Sequence, residues 1–288
     1  MCIGRPLHNV RGRARPGACG SAGLAPARPR RYVRILLSHE VEYHQHGSIH
    51  RLRLAAGALT PWRVPPRDDE NPRDLRESTA FYPLVGLGVG LLPAAVLLLD
   101  APAGPRAALA VAAWAAATGA TTLVGWAHGC DAALTPLGDR HRRLRMLRSR
   151  GLGAFGVLGL VLLMLTKWSA LAHAPAFAPL VAAPLGRWAM VHALRTYAPA
   201  ERDRPEAVLS GAVPLWAATW VAVAVLGLVT AASPDPARTA LAVTAGTLLS
   251  LAAVAFLVDR FAGVNGPTCA VACEAAEVGA LLALLPWG

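Results

Sequence analysis

The chain has 288 residues, of which 55% are hydrophobic and only 16% are charged. Soluble domains carry about 25% charged residues, so this composition excludes an ordinary soluble globular protein. Most of the net charge of +11 comes from one segment, because residues 1–53 hold ten arginines and only two glutamates.

Residues 1–50 are predicted to be a disordered basic arm, or an upstream stretch that results from a start codon placed too early. Residues 51–288 are predicted to form the membrane domain. The arm is rich in Gly and Pro and lacks the unbroken apolar stretch of a signal peptide. A nucleic-acid-binding tail is the less favoured interpretation of its arginines, so no nucleic-acid partner is expected.

Seven long apolar runs follow along the chain. A bilayer core about 30 Å thick needs about 20 apolar residues to cross as a helix, and backbone polar groups in lipid must bond within their own segment. The predicted fold class is therefore all-α, a polytopic transmembrane bundle of six to seven helices. The runs are 81–99, 107–127, 151–172, 175–194, 207–232, 239–258 and 268–287.

Arginines in the short loops predict the orientation of the bundle. Loop 139–150 holds six arginines, whereas loops 100–106 and 233–238 on the opposite side hold one each. Arginine-rich loops remain in the cytoplasm. We therefore expect a multi-pass protein of the bacterial inner membrane with its N-terminus in the cytoplasm.

The second run ends at Asp131, directly before the arginine-rich loop. Carboxylate oxygens suit Mg²⁺ and guanidinium groups suit phosphate, so this boundary is a candidate site for both. The alternative is an interfacial aspartate beside arginines that only set the orientation.

Charged residues also lie inside the apolar runs. Glu274 and Glu277 are three residues apart, on one face of the last predicted helix. Because intramembrane charges are costly, we expect both to face the bundle interior, a cavity or a partner. Lys167 and Arg187 are the candidate partners. The alternatives are a lysine that extends to the membrane surface and a purely structural ion pair.

A turn precedes the last run, in the segment Phe261-Ala262-Gly263-Val264-Asn265-Gly266-Pro267-Thr268. Backbone N–H groups at a helix N-terminus can hold an anion. Asn265 and Gly266 are therefore candidate substrate-binding residues, with a plain turn as the alternative.

Taken in order, these segments resemble the adenosylcobinamide-GDP ribazoletransferase, or cobalamin synthase, family over residues 52–287. The matching stretches are Leu52-Arg53-Leu54-Ala55, Leu59-Thr60-Pro61, Tyr82-Pro83-Leu84-Val85-Gly86-Leu87-Gly88-Val89-Gly90, Leu152-Gly153-Ala154-Phe155-Gly156-Val157, Lys167, Arg187, Gly263-Val264-Asn265-Gly266 and Cys273-Glu274-Ala275-Ala276-Glu277.

The resemblance implies an Mg²⁺-dependent enzyme that joins adenosylcobinamide-GDP to α-ribazole or its 5′-phosphate and releases GMP. Its implied partners are these corrinoid and ribazole substrates, membrane lipid and other membrane proteins of corrinoid assembly. The implied catalytic residues are Asp131, Glu274, Glu277 and Lys167, with the two glutamates facing the same cavity as Asp131. The implied substrate-binding residues are Arg148, Arg150, Arg187, Asn265 and Gly266.

The family's aspartate-rich motif is degraded in this chain. The family pattern is His-Leu-Asp-Gly-Leu-Ala-Asp-x-x-Asp-Gly, and here Val124 and His128 replace the first two aspartates while Asp131 remains. Ser149 and Pro267 stand at two further acid positions. Asp131 and His128 are therefore the expected metal ligands, for Mg²⁺ or for Mn²⁺ because imidazole suits Mn²⁺ better. The alternatives are an inactive paralogue that binds a corrinoid or scaffolds a membrane complex, and a small-solute carrier.

Overall fold

The structure is a computed structural model, which describes residues 47–62, 72–136, 139–147, 151–201, 209 and 213–286. Within these ranges the chain forms helices and no β-strand, so the all-α prediction is confirmed. The prediction of a disordered arm over residues 1–50 lies mostly outside the described residues, and the first described helix already begins at Ser48.

The described helices follow one another with short connections, as expected for a membrane bundle. They are α1 (Ser48–Leu59), α2 (Pro72–Ser78), α3 (Tyr82–Val96), α4 (Ala103–Thr118), α5 (Thr121–Leu134), α6 (Arg140–Met146), α7 (Ala154–His173), α8 (Ala178–Thr196), α9 (Leu215–Ala232), α10 (Pro236–Phe261) and α11 (Gly266–Ala283).

Five described helical segments are long and apolar enough to cross a membrane, and α4 with α5 makes a sixth if the bent pair is one span. Helix α8 is less apolar, but it lies at the centre and packs against α3, α9, α10 and α11. Most of its residues are buried against these neighbours. The chain is therefore a multi-pass membrane protein, in agreement with the predicted six to seven helices.

The prediction of one continuous helix over 107–127 is wrong. The run breaks after Thr118, and α4 and α5 meet at an angle of 93°. Gly119 and Ala120 both have left-handed backbones, with φ of 59° and 55°, and the N–H of Ala120 returns to the carbonyl of Ala115. This hydrogen bond and the left-handed glycine form a helix C-terminus that hydropathy alone does not reveal.

Small residues let the central helices approach closely. A Cβ on Gly90 of α3 would lie 2.5 Å from the carbonyl oxygen of Pro179 in α8. In the same way, a Cβ on Gly246 of α10 would lie 2.5 Å from the carbonyl oxygen of Ala276 in α11. Glycines at such crossings bring the backbones into direct contact, which is how membrane helices associate without a hydrophobic driving force.

The ends of the helices gather on two opposite faces. On one face, Arg260 at the end of α10 donates to the carbonyl of Ala133 at the end of α5, at 2.9 Å, and Val264 pairs with the backbone near Pro199. On the other face, Arg238 donates to the carbonyl of Leu285. The first of these faces, at the ends of α5, α8 and α10 and the starts of α7, α9 and α11, is named the arginine-rich face. The loops rich in arginine therefore lie on one face and the loops poor in arginine on the other, as the sequence predicts.

The arginine-rich face should be cytoplasmic, and cysteine labelling checks this. In a chain whose own cysteines are replaced by alanine, Arg145→Cys should react with an impermeant maleimide only after the membrane is opened. Asp100→Cys, on the opposite face, is the matched control and should react in intact cells. Labelling of position 145 in intact cells would reverse the orientation.

Candidate functional site

Three helices bring four charged side chains into one group, which is named the buried charge cluster: Lys167 of α7, Arg187 of α8, and Glu274 and Glu277 of α11. Lys167 Nζ lies 2.5 Å from Glu277 Oε2 and also pairs with Glu274. Arg187 pairs with the second oxygen of Glu277. Each of the four is at most 3% exposed, and two positive charges balance two negative charges. The predictions that the glutamates face inward and pair with Lys167 and Arg187 are confirmed.

The surroundings of the buried charge cluster are closed. Lys167 Nζ lies 4.7 Å from the centre of the Trp114 ring, which adds a cation–π contact. The cavity beside Lys167 and Glu274, bordered by Thr118 and Thr122, has a volume of about 10 Å³. That space is at the lower limit for one water molecule, so a substrate could reach these side chains only if the helices parted. In this arrangement the cluster joins α7, α8 and α11.

Asp131 lies at the N-terminus of α7, where its carboxylate accepts two backbone hydrogen bonds. Oδ2 accepts from the N–H of Gly153 at 2.5 Å, and Oδ1 accepts from the N–H of Gly156 at 2.6 Å. Asp131 is 4% exposed. The first N–H groups of a helix have no partner within the helix, and a carboxylate is favourable at that end. Asp131 of α5 thus caps α7 from outside.

Two glycines make this cap possible. A Cβ on Gly156 would lie 2.3 Å from Asp131 Oδ2, and one on Gly153 would lie 2.7 Å from Oδ1. Gly153 and Gly156 belong to the stretches that carry the family resemblance, but their contact with Asp131 was not predicted. An acidic residue at the end of one membrane helix and a Gly-x-x-Gly at the start of the next was the available signal.

The described residues around Asp131 do not fit a resident Mg²⁺ site. Both of its oxygens already accept hydrogen bonds, and the described part of the chain contains no group of three or more His, Cys, Asp or Glu side chains placed to hold a metal ion. His128 and Val124 precede Asp131 by three and seven residues on the same face of α5. Mg²⁺ in proteins is usually bound by one or two carboxylates together with waters and substrate phosphates, and among the described residues this face offers only the carboxylate of Asp131, which already caps α7.

Asp131 and the two glutamates do not share a cavity, so that part of the prediction is wrong. Asp131 contacts Gly156 near the start of α7, and Lys167 follows Gly156 by eleven residues along the same helix. At a rise of 1.5 Å per residue, the two sites are separated by about 16 Å along α7.

The arginines near Asp131 differ in their contacts. Arg143 donates to the carbonyls of Ala132 and Ala133 at 2.8 and 2.9 Å, so it closes the C-terminus of α5 together with Arg260. Arg142 and Arg145 of α6 are exposed. Arg148 and Arg150, the predicted phosphate ligands, lie outside the described residues.

Asn265 is the N-cap of α11. Its Oδ1 accepts from the backbone N–H of Thr268 at 2.9 Å and from the Thr268 hydroxyl at 3.0 Å. Its Nδ2 is buried and has no hydrogen-bond partner within the described residues. Pro267 removes one of the N–H groups that an anion would use at this end, so the substrate-binding role of Asn265 and Gly266 stays a prediction.

Fold and site together define a multi-pass membrane protein with a closed ionic centre and a basic polar face. The family model for cobalamin-5-phosphate synthase matches residues 51–285. The chain belongs to this family, and the matched range agrees with the resemblance noted over residues 52–287.

Individual relatives support the same assignment. Adenosylcobinamide-GDP ribazoletransferases from Pseudomonas entomophila and Pseudomonas putida (strain W619) are 34% and 35% identical over 220 and 222 residues, which is 74% of this chain and 89% of each relative. The enzyme of the same name from Deinococcus radiodurans is 36% identical over 168 residues, or 56% of this chain and 62% of that protein. No solved structure matches this chain.

Proposed function

We propose that this chain is an adenosylcobinamide-GDP ribazoletransferase of the bacterial inner membrane. It would join adenosylcobinamide-GDP to α-ribazole or its 5′-phosphate and release GMP. The observation that supports this most strongly is the family match over residues 51–285, together with relatives of that name aligned over 89% of their own length.

The proposed reaction exchanges a phosphoanhydride bond for a phosphate ester. A hydroxyl group of α-ribazole forms a bond to the phosphorus next to the cobinamide, the bond between that phosphorus and GMP breaks, and the hydroxyl proton is lost to solvent. Such chemistry depends on positioning and on neutralising phosphate charge. The exposed guanidinium groups of Arg142 and Arg145 supply positive charge on the arginine-rich face.

The residues of the buried charge cluster are proposed to act by position. Lys167, Glu274, Glu277 and Arg187 hold α7, α8 and α11 in register, and the Asp131 cap fixes the start of α7 at the arginine-rich face. The cavity beside this cluster, about 10 Å³, is too small to hold a solute in this arrangement, and the family match over residues 51–285 does not favour a small-solute carrier.

The requirement for Mg²⁺, or Mn²⁺ in its place, stays a prediction, and no step is assigned to a metal ion because the described residues do not form a resident site. Val124→Asp with His128→Asp should restore carboxylates at one and two turns before Asp131, on one face of α5. We expect this variant to turn over faster and to need less Mg²⁺ for half-maximal activity.

The matched control is Val124→Asn with His128→Asn, which adds similar volume without charge. An unchanged Mg²⁺ dependence in the aspartate variant, measured as turnover against Mg²⁺ concentration, would show that this face of α5 does not contribute to Mg²⁺ binding.

Genetic complementation tests the proposed activity. The chain is expressed in a strain that lacks its own cobalamin synthase and is given cobinamide and α-ribazole, and growth is scored under conditions that require cobalamin. Growth should match that given by the Pseudomonas entomophila relative. A chain that is present in the membrane but gives no growth would favour the inactive paralogue.

A further inference from the structure

A long cleft lies between α8, α9 and α10, within the membrane-spanning part of the chain. Its volume is about 580 Å³, and its walls include Leu185, Ala222, Leu226, Gly227 and Val243. The described residues that line it are apolar or carry a single polar atom, and none of them is charged.

Four of the polar side chains in the cleft walls have hydrogen-bond partners within the protein. Trp188 donates its ring N–H to the hydroxyl of Thr219 at 3.0 Å. Thr244 and Thr247 donate their hydroxyls to the carbonyls of Ala240 and Val243 in their own helix, at 3.0 and 2.8 Å. The hydroxyl groups of these two threonines are therefore bonded within their own helix. A ligand in this space would meet mainly hydrocarbon and would itself have to be apolar.

The dimensions favour a single hydrocarbon chain. The cleft extends from Thr219 to Ala231 of α9. Twelve residues of helix cover about 18 Å, roughly one leaflet of a bilayer core about 30 Å thick. A membrane-spanning helix, about 10 Å wide and 30 Å long, fills a volume on the order of 2,000 Å³. A cleft of about 580 Å³ cannot enclose a whole helix of a second copy or of another protein.

At Thr219 the apolar cleft meets a second, more polar cleft of about 970 Å³, which opens at the arginine-rich face. Trp216 and Trp220 line it one helical turn apart and are 72% and 68% exposed. Exposed tryptophans in such a position are typical of the membrane–water interface. The two clefts together run from hydrocarbon depth to headgroup depth.

Among the described residues that line the polar cleft, one is an arginine and one is a glutamate. Glu77 pairs with Arg51 and Arg73, at 2.5 and 2.6 Å. Arg195 is exposed near the end of α8 and has no carboxylate partner among the described residues. The charge that remains available at this end of the cleft is therefore positive, which suits an anionic headgroup.

We propose that the two clefts hold one anionic phospholipid from the leaflet at the arginine-rich face. One acyl chain lies between α9 and α10, and the phosphate group lies at Arg195. This site is independent of the proposed transferase activity, because lipid retention is measured without turnover.

Native mass spectrometry tests whether an acyl chain is bound in the apolar cleft. The full-length protein is released from nanodiscs that contain phosphatidylglycerol and phosphatidylcholine. Wild-type protein should retain one phosphatidylglycerol molecule. No neighbouring atom lies within 4 Å of a Cβ placed on Gly227, so Gly227→Leu fills the cleft without a backbone clash. This substitution should lower the fraction of protein that retains phosphatidylglycerol about tenfold.

Gly88→Leu is the matched control. Gly88 lies exposed on α3, outside the cleft, and a Cβ there also meets nothing within 4 Å. It should retain lipid as wild type does. Loss of all lipid from the wild type, or equal retention by the two leucine variants, would overturn the proposal.

Arg195→Gln tests the headgroup position. We expect this variant to retain lipid but to lose the preference for phosphatidylglycerol over phosphatidylcholine. An unchanged preference, accompanied by slower turnover, would assign Arg195 to a substrate phosphate and remove the headgroup from this cleft.

Discussion

Glu277→Gln should destabilise the folded protein by about 3–5 kcal/mol, the usual result of leaving a buried charge without its partner. Glu277 pairs with both Lys167 and Arg187, so its neutralisation would leave two buried cations facing Glu274 alone. The free energy of unfolding in mixed micelles, followed during titration with a denaturing detergent, measures the effect.

The control is a double variant that restores the balance of charge. Arg187→Gln with Glu277→Gln removes one charge of each sign and leaves the direct pair of Lys167 and Glu274 in place. Its loss of stability should be smaller than the sum of the two single losses, with a coupling of about 0.5–3 kcal/mol. Additive losses would show that the four side chains do not act as one ionic group.

Gly156→Ala should destabilise the contact between α5 and α7 by about 1–3 kcal/mol, the usual cost of overpacking. The added Cβ would lie 2.3 Å from Asp131 Oδ2 and 2.8 Å from the carbonyl oxygen of Ala127. The carboxylate would have to leave the two N–H groups that it caps, or the helices would have to separate. The same unfolding titration measures this loss.

Gly88→Ala adds the same methyl group to an open helix surface and should leave stability almost unchanged. Asp131→Ala leaves the N–H groups of Gly153 and Gly156 without their acceptor, at a cost of about 1–3 kcal/mol. It also removes the carboxylate with which the Cβ of Gly156→Ala would clash. Asp131→Ala with Gly156→Ala should therefore cost less than the two separate changes together. A strictly additive double variant would mean that Asp131 and Gly156 are not in contact.

Because Asp131 caps α7, its substitution can lower activity by destabilising the protein. Asp131→Asn keeps the shape of the side chain, but its amide offers one acceptor oxygen where the carboxylate offers two. Turnover should fall sharply, and stability should fall with it. A metal-ligand role for Asp131 predicts lost turnover with unchanged stability, so both quantities must be measured on the same sample.

Hydropathy and the cost of intramembrane charge predicted most of the fold and the pairing in the buried charge cluster. Glu274 and Glu277 had to face inward, and Lys167 and Arg187 were the cations available in neighbouring spans. The break at Gly119 was not predictable from hydropathy, because both helices that meet there are equally apolar. It depends on a left-handed turn and on the packing of Gly119 against Pro61.

The role of Asp131 was not predictable from its own neighbourhood in the sequence. An aspartate beside arginines is compatible with a metal site, a phosphate site or a helix cap. The distinction depends on which backbone N–H groups reach the carboxylate, and these belong to Gly153 and Gly156 of the next helix. Arg143 and Arg260 present the same difficulty, since their carbonyl partners at the end of α5 become neighbours only after folding.

Product formation by the purified chain is the most direct measurement of the proposed function. The full chain, inserted into liposomes, is incubated with adenosylcobinamide-GDP and α-ribazole in the presence of Mg²⁺ or Mn²⁺, with the Pseudomonas entomophila relative in parallel. We expect GMP and a corrinoid that contains α-ribazole to appear in equal amounts. If the relative forms both products while this inserted chain forms neither with either metal, the chain is not a ribazoletransferase.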